Sequence, residues 1–513
     1  MMRQITIPQD PYSLWQAGHH KDSFQALDRD IEVDVSIIGG GVTGLTFAYV
    51  LAKKGLKVAL IEADQLLSGT TGYTTAKVSS QHGAIYQKLI KQFGERHARL
   101  YYEANEMALT FIKETIEEEQ IDAEFETKDA LIYATSTDYA KVIEKEAKAY
   151  ERLAINGILE EGDVGLPFKV KKALRLKEQA QFHPVTFFRG LISTILQNGG
   201  QIFEDTRIKT VKGTDEPKAI TTNGHTIASK HCIVSTHFPI NDKTGLYFTR
   251  LHAERSYCLA VKPSSPLPDG MSLNIEPGGT SLRTATSPEG DPLLLIGGAG
   301  HPAGKNEDSQ FQSYEELRQF AEKWFGVEAI PYRWSSQDLI TLDSLPYIGQ
   351  NVAGETHTYV ATGFGKWGMT NGVAAALLLR DKILGEDQDN PYHELFDPMR
   401  SKVKKTDITS FIKENTGVAK EFVKGKVQSS DKSLSDLGPD EGAIVKYNGK
   451  QAGAYKDKEG NTHIVSTTCT HMGCSLNWND AERSWDCPCH GGRFSHKGDV
   501  LEGPPVKGLE RLD

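Results

Sequence analysis

The sequence predicts an α/β chain that carries a second, antiparallel-sheet domain and ends in a small all-β domain. Three observations carry this reading. A Gly-rich turn, Gly39-Gly40-Gly41-Val42-Thr43-Gly44, lies between a β-branched apolar run and a helix-patterned segment. Short apolar runs broken by turn residues fill 245–305. Two loops near the C-terminal end pair Cys with His, at Cys469/His471 and at Cys487/His490.

A chain of 513 residues is too long for one ordinary core. Its net charge of −10 argues against nucleic acid or an anionic membrane as the main partner. The first twenty residues lack the apolar core of a signal peptide. No apolar run approaches the ~18 residues of a membrane span. Val373 to Leu379, the longest such run, reads as a buried helix face. The expectation is a soluble, cytoplasmic protein. Of six cysteines, Cys232 and Cys258 lie in strand-like runs and read as buried thiols.

Residues 1–30 are polar and irregular, with an amphipathic patch around Tyr12 and Trp15. Asp34 to Ile38 is a short buried strand running straight into the Gly-rich turn. A helix follows and closes at Gly55, and a second strand, Lys57 to Ile61, ends at Glu62. Strand, GxGxxG, helix and a terminal acid about 20 residues on form the Rossmann-type dinucleotide fingerprint. Gly39 makes the turn, Gly41 lets the backbone approach a pyrophosphate, and Gly44 permits tight helix packing. Glu62 can accept from a ribose hydroxyl.

A Gly/Thr loop follows at Ser68 to Lys77. Toward the other end, a TYVAT strand runs into Gly363-Phe364-Gly365-Lys366-Trp367-Gly368-Met369-Thr370 and then a helix. Together these stretches resemble the D-amino-acid oxidase-like flavoproteins, the glycine oxidase and sarcosine oxidase group. The resemblance spans roughly residues 30–390 and implies FAD. It implies that Thr70, Thr71, Thr74 and Thr75 wrap the cofactor, that Ile208 passes the adenine and that Thr236 closes on the dinucleotide. It further implies that Gly363, Gly365, Gly368, Met369 and Thr370 face the flavin pyrimidine. Backbone N–H groups at that helix start would favour the reduced anion. Some sarcosine oxidases attach FAD through a cysteine near this loop. The loop here has none, so non-covalent FAD is expected.

The remaining elements follow the same plan. Amphipathic helices occupy 85–120, and short strands flank a charged helix, Tyr139 to Leu153. His183-Pro184 opens another helix, and strand-like runs cover Gln201 to Val211 and Thr226 to Ser235. FAD-binding segments are expected at about 30–85, 183–240 and 330–390, with substrate-domain segments at about 120–182 and 245–330. The second set would form an antiparallel sheet over the flavin. Arg255, Tyr257, Arg283, His301 and Lys366 are its polar candidates for substrate, each equally readable as an ordinary core or surface pair. No general base stands out. Residues 396–435 read as a helical connector and polar linker.

The two Cys–His loops offer one sulfur and one nitrogen each. Two thiolates on one iron and two imidazoles on the other is the Rieske [2Fe–2S] arrangement. A structural zinc site uses the same residue types, but zinc ribbons usually pair like with like. The motifs CTHMGC and CPCHG, with Gly503-Pro504-Pro505, resemble the respiratory and photosynthetic Rieske proteins over 436–513. That resemblance implies Cys469, His471, Cys487 and His490 as ligands and a Cys474–Cys489 disulfide.

The expected activity is oxidation of a small amine or amino-acid-like substrate by hydride transfer to FAD. Electrons then pass singly to the cluster and to an external acceptor. A reductase running in the opposite direction and a non-catalytic redox sensor are the competing readings. In the Rieske family a Ser and a Tyr in the second loop donate to cluster sulfurs, where this chain has Gly492 and Phe494. Such bonds stabilise the added electron, so a potential well below that of the respiratory proteins is expected. Potentiometric titration checks this, and an equally high midpoint would refute it.

Overall fold

The computed structural model describes residues 5–18, 23–305, 309–352, 354–386, 390–400 and 432–513. Most of the connector and linker expected at 396–435 lies outside these. The dinucleotide fingerprint folds as read. Ile31–Ile38 is a strand, Val42–Lys53 a helix and Val58–Ile61 the next strand. The first strand lies between Thr226–Val234 and Val58–Ile61, and all three are parallel. The sheet extends to Thr358–Thr362 on one side and Gln201–Phe203 on the other. Val42–Lys53 and Gly368–Leu384 pack on this sheet and are buried along most of their length, as expected for helices under a two-layer cover. The run read as one strand from Gln201 to Val211 is two, because Glu204 turns inward and accepts from Phe24 N and Leu66 N.

A second, largely antiparallel sheet has nine strands. Its outermost pair is Leu251–Lys262 against Ala329–Thr341, held in register from Leu251↔Thr341 to Cys258↔Trp334 and beyond. The sheet therefore continues past position 330 to Thr341, further than the sequence reading took it. Buried positions alternate with half-buried ones from Ser335 to Thr341, and Arg333, Trp334 and Ser335 are all buried, which suits a strand with both faces occupied. The C-terminal domain is all antiparallel. Glu441–Tyr447, Lys450–Lys456 and Thr462–Val465 form one sheet, and four three-residue strands from Asn477 to Glu502 form the other. Among the described residues, no helix is long and apolar enough to cross a membrane.

The N-terminal segment, which looks irregular in sequence, acts as a clasp. Trp15 is buried, and its Nε1–H donates to Thr74 O at 2.7 Å. The backbone carbonyls of Pro8 and Gln9 accept from the Arg333 guanidinium. Arg333 also donates to Ala481 O at 3.0 Å, pairs with Glu482 at 3.5 Å and lies over the rings of Phe311 and Tyr314. One fully buried cation thus joins the N-terminal segment, the antiparallel sheet and the C-terminal domain. Arg333→Ala should cost about 3 kcal/mol, because Glu482 and the carbonyls of Pro8, Gln9 and Ala481 lose their guanidinium donor. Thermal unfolding should show a lower or split transition, and an unchanged single transition would contradict this linkage.

Candidate functional site

Three backbone segments converge beside the parallel sheet. Gly39 has φ +108°, and a Cβ there would lie 2.5 Å from Ser235 O. A Cβ on Gly44 would overlap the Gly39 carbonyl oxygen, so the helix closes on the turn only with glycine. Gly41 caps the helix start, and Val42 N–H donates to Thr71 Oγ1 at 3.0 Å, which brings the Gly/Thr loop onto the helix N-terminus. Glu62 stands at the strand end, its carboxylate accepting from Gly40 N at 2.6 Å and Asp64 N at 3.0 Å. Burial raises its pKa despite those donors. Ile208 is buried at the start of its strand, and the Thr236 hydroxyl is used locally, on Phe238 O.

The other predicted contacts fall in the same neighbourhood. Thr74 Oγ1 accepts from Ala76 N, and Thr75 O accepts from Arg283. Gly363 and Gly365 have φ of +74° and +57° and turn the strand into the helix that opens at Gly368. Met369 is buried, and Thr370 Oγ1 lies 3.1 Å from His82 Nε2. His82 was not singled out from the sequence. Its ring stacks on Trp367 at 4.5 Å, its Nδ1 meets Tyr101 OH at 2.6 Å, and burial lowers its pKa to about 3, so it is neutral. A buried cradle of glycines and backbone N–H groups at a helix N-terminus fits the pyrophosphate of FAD.

The substrate-side candidates divide by strand parity. In Leu251–Lys262, Arg255 and Tyr257 point away from the dinucleotide cradle. Arg255 donates to Ser335 Oγ at 3.0 Å and Gln337 Oε1 at 3.2 Å, and meets Glu502 at 3.5 Å and Asp486 at 3.9 Å in the C-terminal domain. Tyr257 OH pairs with His301 Nε2 at 2.9 Å on that same side, with Tyr314 packed on its ring. Arg283 does face the cradle, but it is spent on the carbonyls of Thr75, Ala76 and Phe182. Lys366, in the Gly-rich loop, pairs with Glu254 at 3.0 Å.

The residues on the cradle side were missed. Glu254 and Asp338 are directly paired across the two strands. Burial lifts the Asp338 carboxyl to about 6, opposed by Lys366 and reinforced by Glu254. Gly297 meets Thr75 on this face, and Gly300 meets Ser256 and Lys366. Parity in a strand cannot be read without its register, and Arg255 is more conspicuous than Glu254.

The two Cys–His loops close on themselves. Cys469 N–H donates to Cys474 O at 2.8 Å, and Cys487 N–H to Gly492 O at 2.7 Å. Cys474 and Cys489 are joined by a disulfide, which leaves Cys469 and Cys487 free and buried. The Cys469 thiol is pulled down to about 7 by its contact with the Cys487 sulfur, helped by the N–H groups of His471 and Met472. The rings of His471 and His490 stand 5.1 Å apart, and the Nδ1 atom of each is buried without a partner. Two adjoining thiols and two orphaned imidazole nitrogens are a donor set that fits a [2Fe–2S] cluster. A Cβ on Gly492 would lie 2.8 Å from Pro505 Cδ, so a serine there has no room. Phe494 is buried among Val465, Leu476 and Trp485.

A dinucleotide cradle under an antiparallel sheet, with a Cys–His cluster site docked on the far side, defines a flavin and iron–sulfur oxidoreductase. The chain belongs to the FAD dependent oxidoreductase family, which matches residues 34–382, and it carries a Rieske [2Fe-2S] domain matching residues 430–513. It is similar over its whole length to a putative Rieske 2Fe-2S iron-sulfur protein, YhfW, of Bacillus subtilis (strain 168), at 44% identity over 513 residues and 100% of both chains. The gamma-glutamylputrescine oxidoreductase of Escherichia coli (strain K12) is 24% identical over 382 residues, covering 71% of this chain and 86% of that one. The crystal structure of glycine oxidase from Geobacillus kaustophilus shares the fold, with a TM-score of 0.59, 18% identity and coverage of 72% of this chain and 99% of that chain.

Gly41→Val should exclude the pyrophosphate while leaving the C-terminal domain folded. The purified variant should lose most of its FAD, measured as flavin released on denaturation, and keep its cluster signal. Full flavin occupancy would refute the cradle.

Proposed function

We propose that the chain is a dehydrogenase that oxidises a small amine or amino-acid-like substrate at FAD and passes the electrons to its Rieske cluster and then to an external acceptor. In this reading Cys469 and Cys487 hold one iron and His471 and His490 the other. When bound, FAD would supply hydride acceptance and single-electron release, which suits a cluster that carries one electron. The chain's own residues bind, orient and shield.

One observation carries the reading. Gln337 touches both cofactor regions. Its backbone carbonyl accepts from Thr70 Oγ1 of the Gly/Thr loop at 3.2 Å, and its side-chain amide donates to Gly491 O of the second cluster loop at 2.9 Å. A single residue spans the two, which supports direct electron exchange between them.

The cradle side of the sheet supports an amine as the recognised group. Glu254 and Asp338 place negative charge beside Lys366 there. Arg255 and Arg283, two of the polar candidates for substrate, are already engaged. The E. coli relative named for a putrescine conjugate points the same way. A cytoplasmic location accompanies this proposal.

Anaerobic addition of a panel of amines and amino acids tests it, with flavin absorbance and the cluster EPR signal followed together. The expected result is bleaching of the flavin by one substrate class, followed by growth of the reduced-cluster signal. If no substrate bleaches the flavin and chemically reduced cluster feeds it instead, electrons run the other way.

A further inference from the structure

The imidazole edge of the cluster site is closed by a segment of the flavoprotein part. Asp242 lies 229 positions before His471, just after the Thr226–Val234 strand of the parallel sheet. Its Oδ2 accepts from His471 Nε2–H at 2.9 Å, and its Oδ1 accepts from Phe248 N–H at 2.6 Å. Both partners of the first bond are shielded, with side chains 6% and 5% exposed. The Phe248 ring then stands edge-on to His490 at 5.6 Å and to His471 at 6.2 Å. One carboxylate therefore holds a cluster histidine directly and, through its second oxygen, the aromatic ring that covers both histidines.

We propose that Asp242 is a positioning residue for the cluster: it locks His471 as the Nε2–H tautomer, turns Nδ1 toward the iron site and lowers the cluster's reduction potential. The inference rests on the ligand set of the proposed function, and not on its substrate or direction of electron flow. Three features support it. First, the orphaned nitrogen of His471 is Nδ1, the atom left free when Nε2 donates to Asp242. A carboxylate behind a metal-bound histidine fixes ring orientation and makes the ligand a stronger donor. Second, the bond lies in a water-poor pocket, where a full negative charge acts on the imidazole with little screening. Negative charge there favours the oxidised cluster, in the same direction as the loss of sulfur hydrogen bonds at Gly492 and Phe494. Third, among the described residues no carboxylate hydrogen-bonds His490: Phe248 and His471 are the rings against it, and Asp242 acts on it only through its charge. The two histidines are thus inequivalent, and the imidazole edge faces the chain's own flavoprotein part.

Asp242→Asn tests this. Asparagine has the size of aspartate but one acceptor oxygen for two donors, and no charge. The expected result is a variant that retains cluster and FAD, with its midpoint potential raised by a tenfold change in the one-electron equilibrium, 59 mV. Its EPR g-values should also shift, because one imidazole becomes a weaker donor. Asp242→Glu should return the potential toward that of the native protein. An Asn variant with a full cluster signal, native potential and native g-values would overturn the proposal. Should the variant fail to fold, the native protein still decides. Pulsed EPR of the reduced cluster after transfer to D2O should find at least one histidine N–H coupling that exchanges slowly, and rapid exchange of both overturns the proposal. Dithionite reduces the protein in every arm, so failure to find a substrate leaves the outcome readable. Absence of any Rieske signal in the native chain would instead count against the ligand set.

Discussion

Everything in the molecule depends on the alternation of side chains along one pair of antiparallel strands. Leu251–Lys262 and Ala329–Thr341 present Glu254, Cys258, Trp334 and Asp338 to the dinucleotide side. The intervening positions, Ala253, Arg255, Arg333 and Gln337, meet the Rieske domain. The two strands form a shared wall between the dinucleotide cradle and the Rieske domain. Period-two geometry makes this possible, since opposite faces of a strand can serve unrelated purposes.

The far face of that wall is docked through buried charge. Arg255, Arg333 and Arg493 lie among Glu482, Asp486 and Glu502. Burial works to raise the Asp486 carboxyl, and Arg493 and Arg255 outweigh it, leaving the group below its ordinary value. Pairs of this kind add little net stability once desolvation is counted, but they penalise any arrangement that leaves one partner alone. They make the docking specific. Around them, neutral contacts fit closely. Gly491 has no room for a side chain against Ala253 and Gln337, and Asn477 donates to Gly304 O at 2.7 Å. The interface thus fixes the Rieske domain against the outer strands of the antiparallel sheet.

The dinucleotide turn and the paired Cys–His loops were legible in the sequence because their determinants are local. The fingerprint glycines act on a turn and the helix that follows it. The cluster donors sit two and three positions apart within their loops. Even the absence of the sulfur-donating hydroxyls could be read, and Pro505 packed against Gly492 shows why no serine stands there. The substrate side was not legible. Arg255 and Glu254 are neighbours with opposite faces, and only the register decides which one meets the cradle. Trp15 stood out only as an aromatic in an irregular segment and His82 not at all, yet Trp15 holds the Thr74 carbonyl and His82 meets Thr370.

The amino-acid sequence by itself determined what each segment can bind, because backbone turns, helix termini and paired ligand loops act over a few residues. The tertiary structure alone decided how those capacities are joined. Asp242 reaches His471 across 229 positions, Gln337 reaches both Thr70 and Gly491, and Arg333 gathers Pro8, Gln9 and Ala481. Such contacts depend on the order and register of strands far apart in the chain. That arrangement follows from burying the whole apolar surface at once, which no short stretch of sequence encodes.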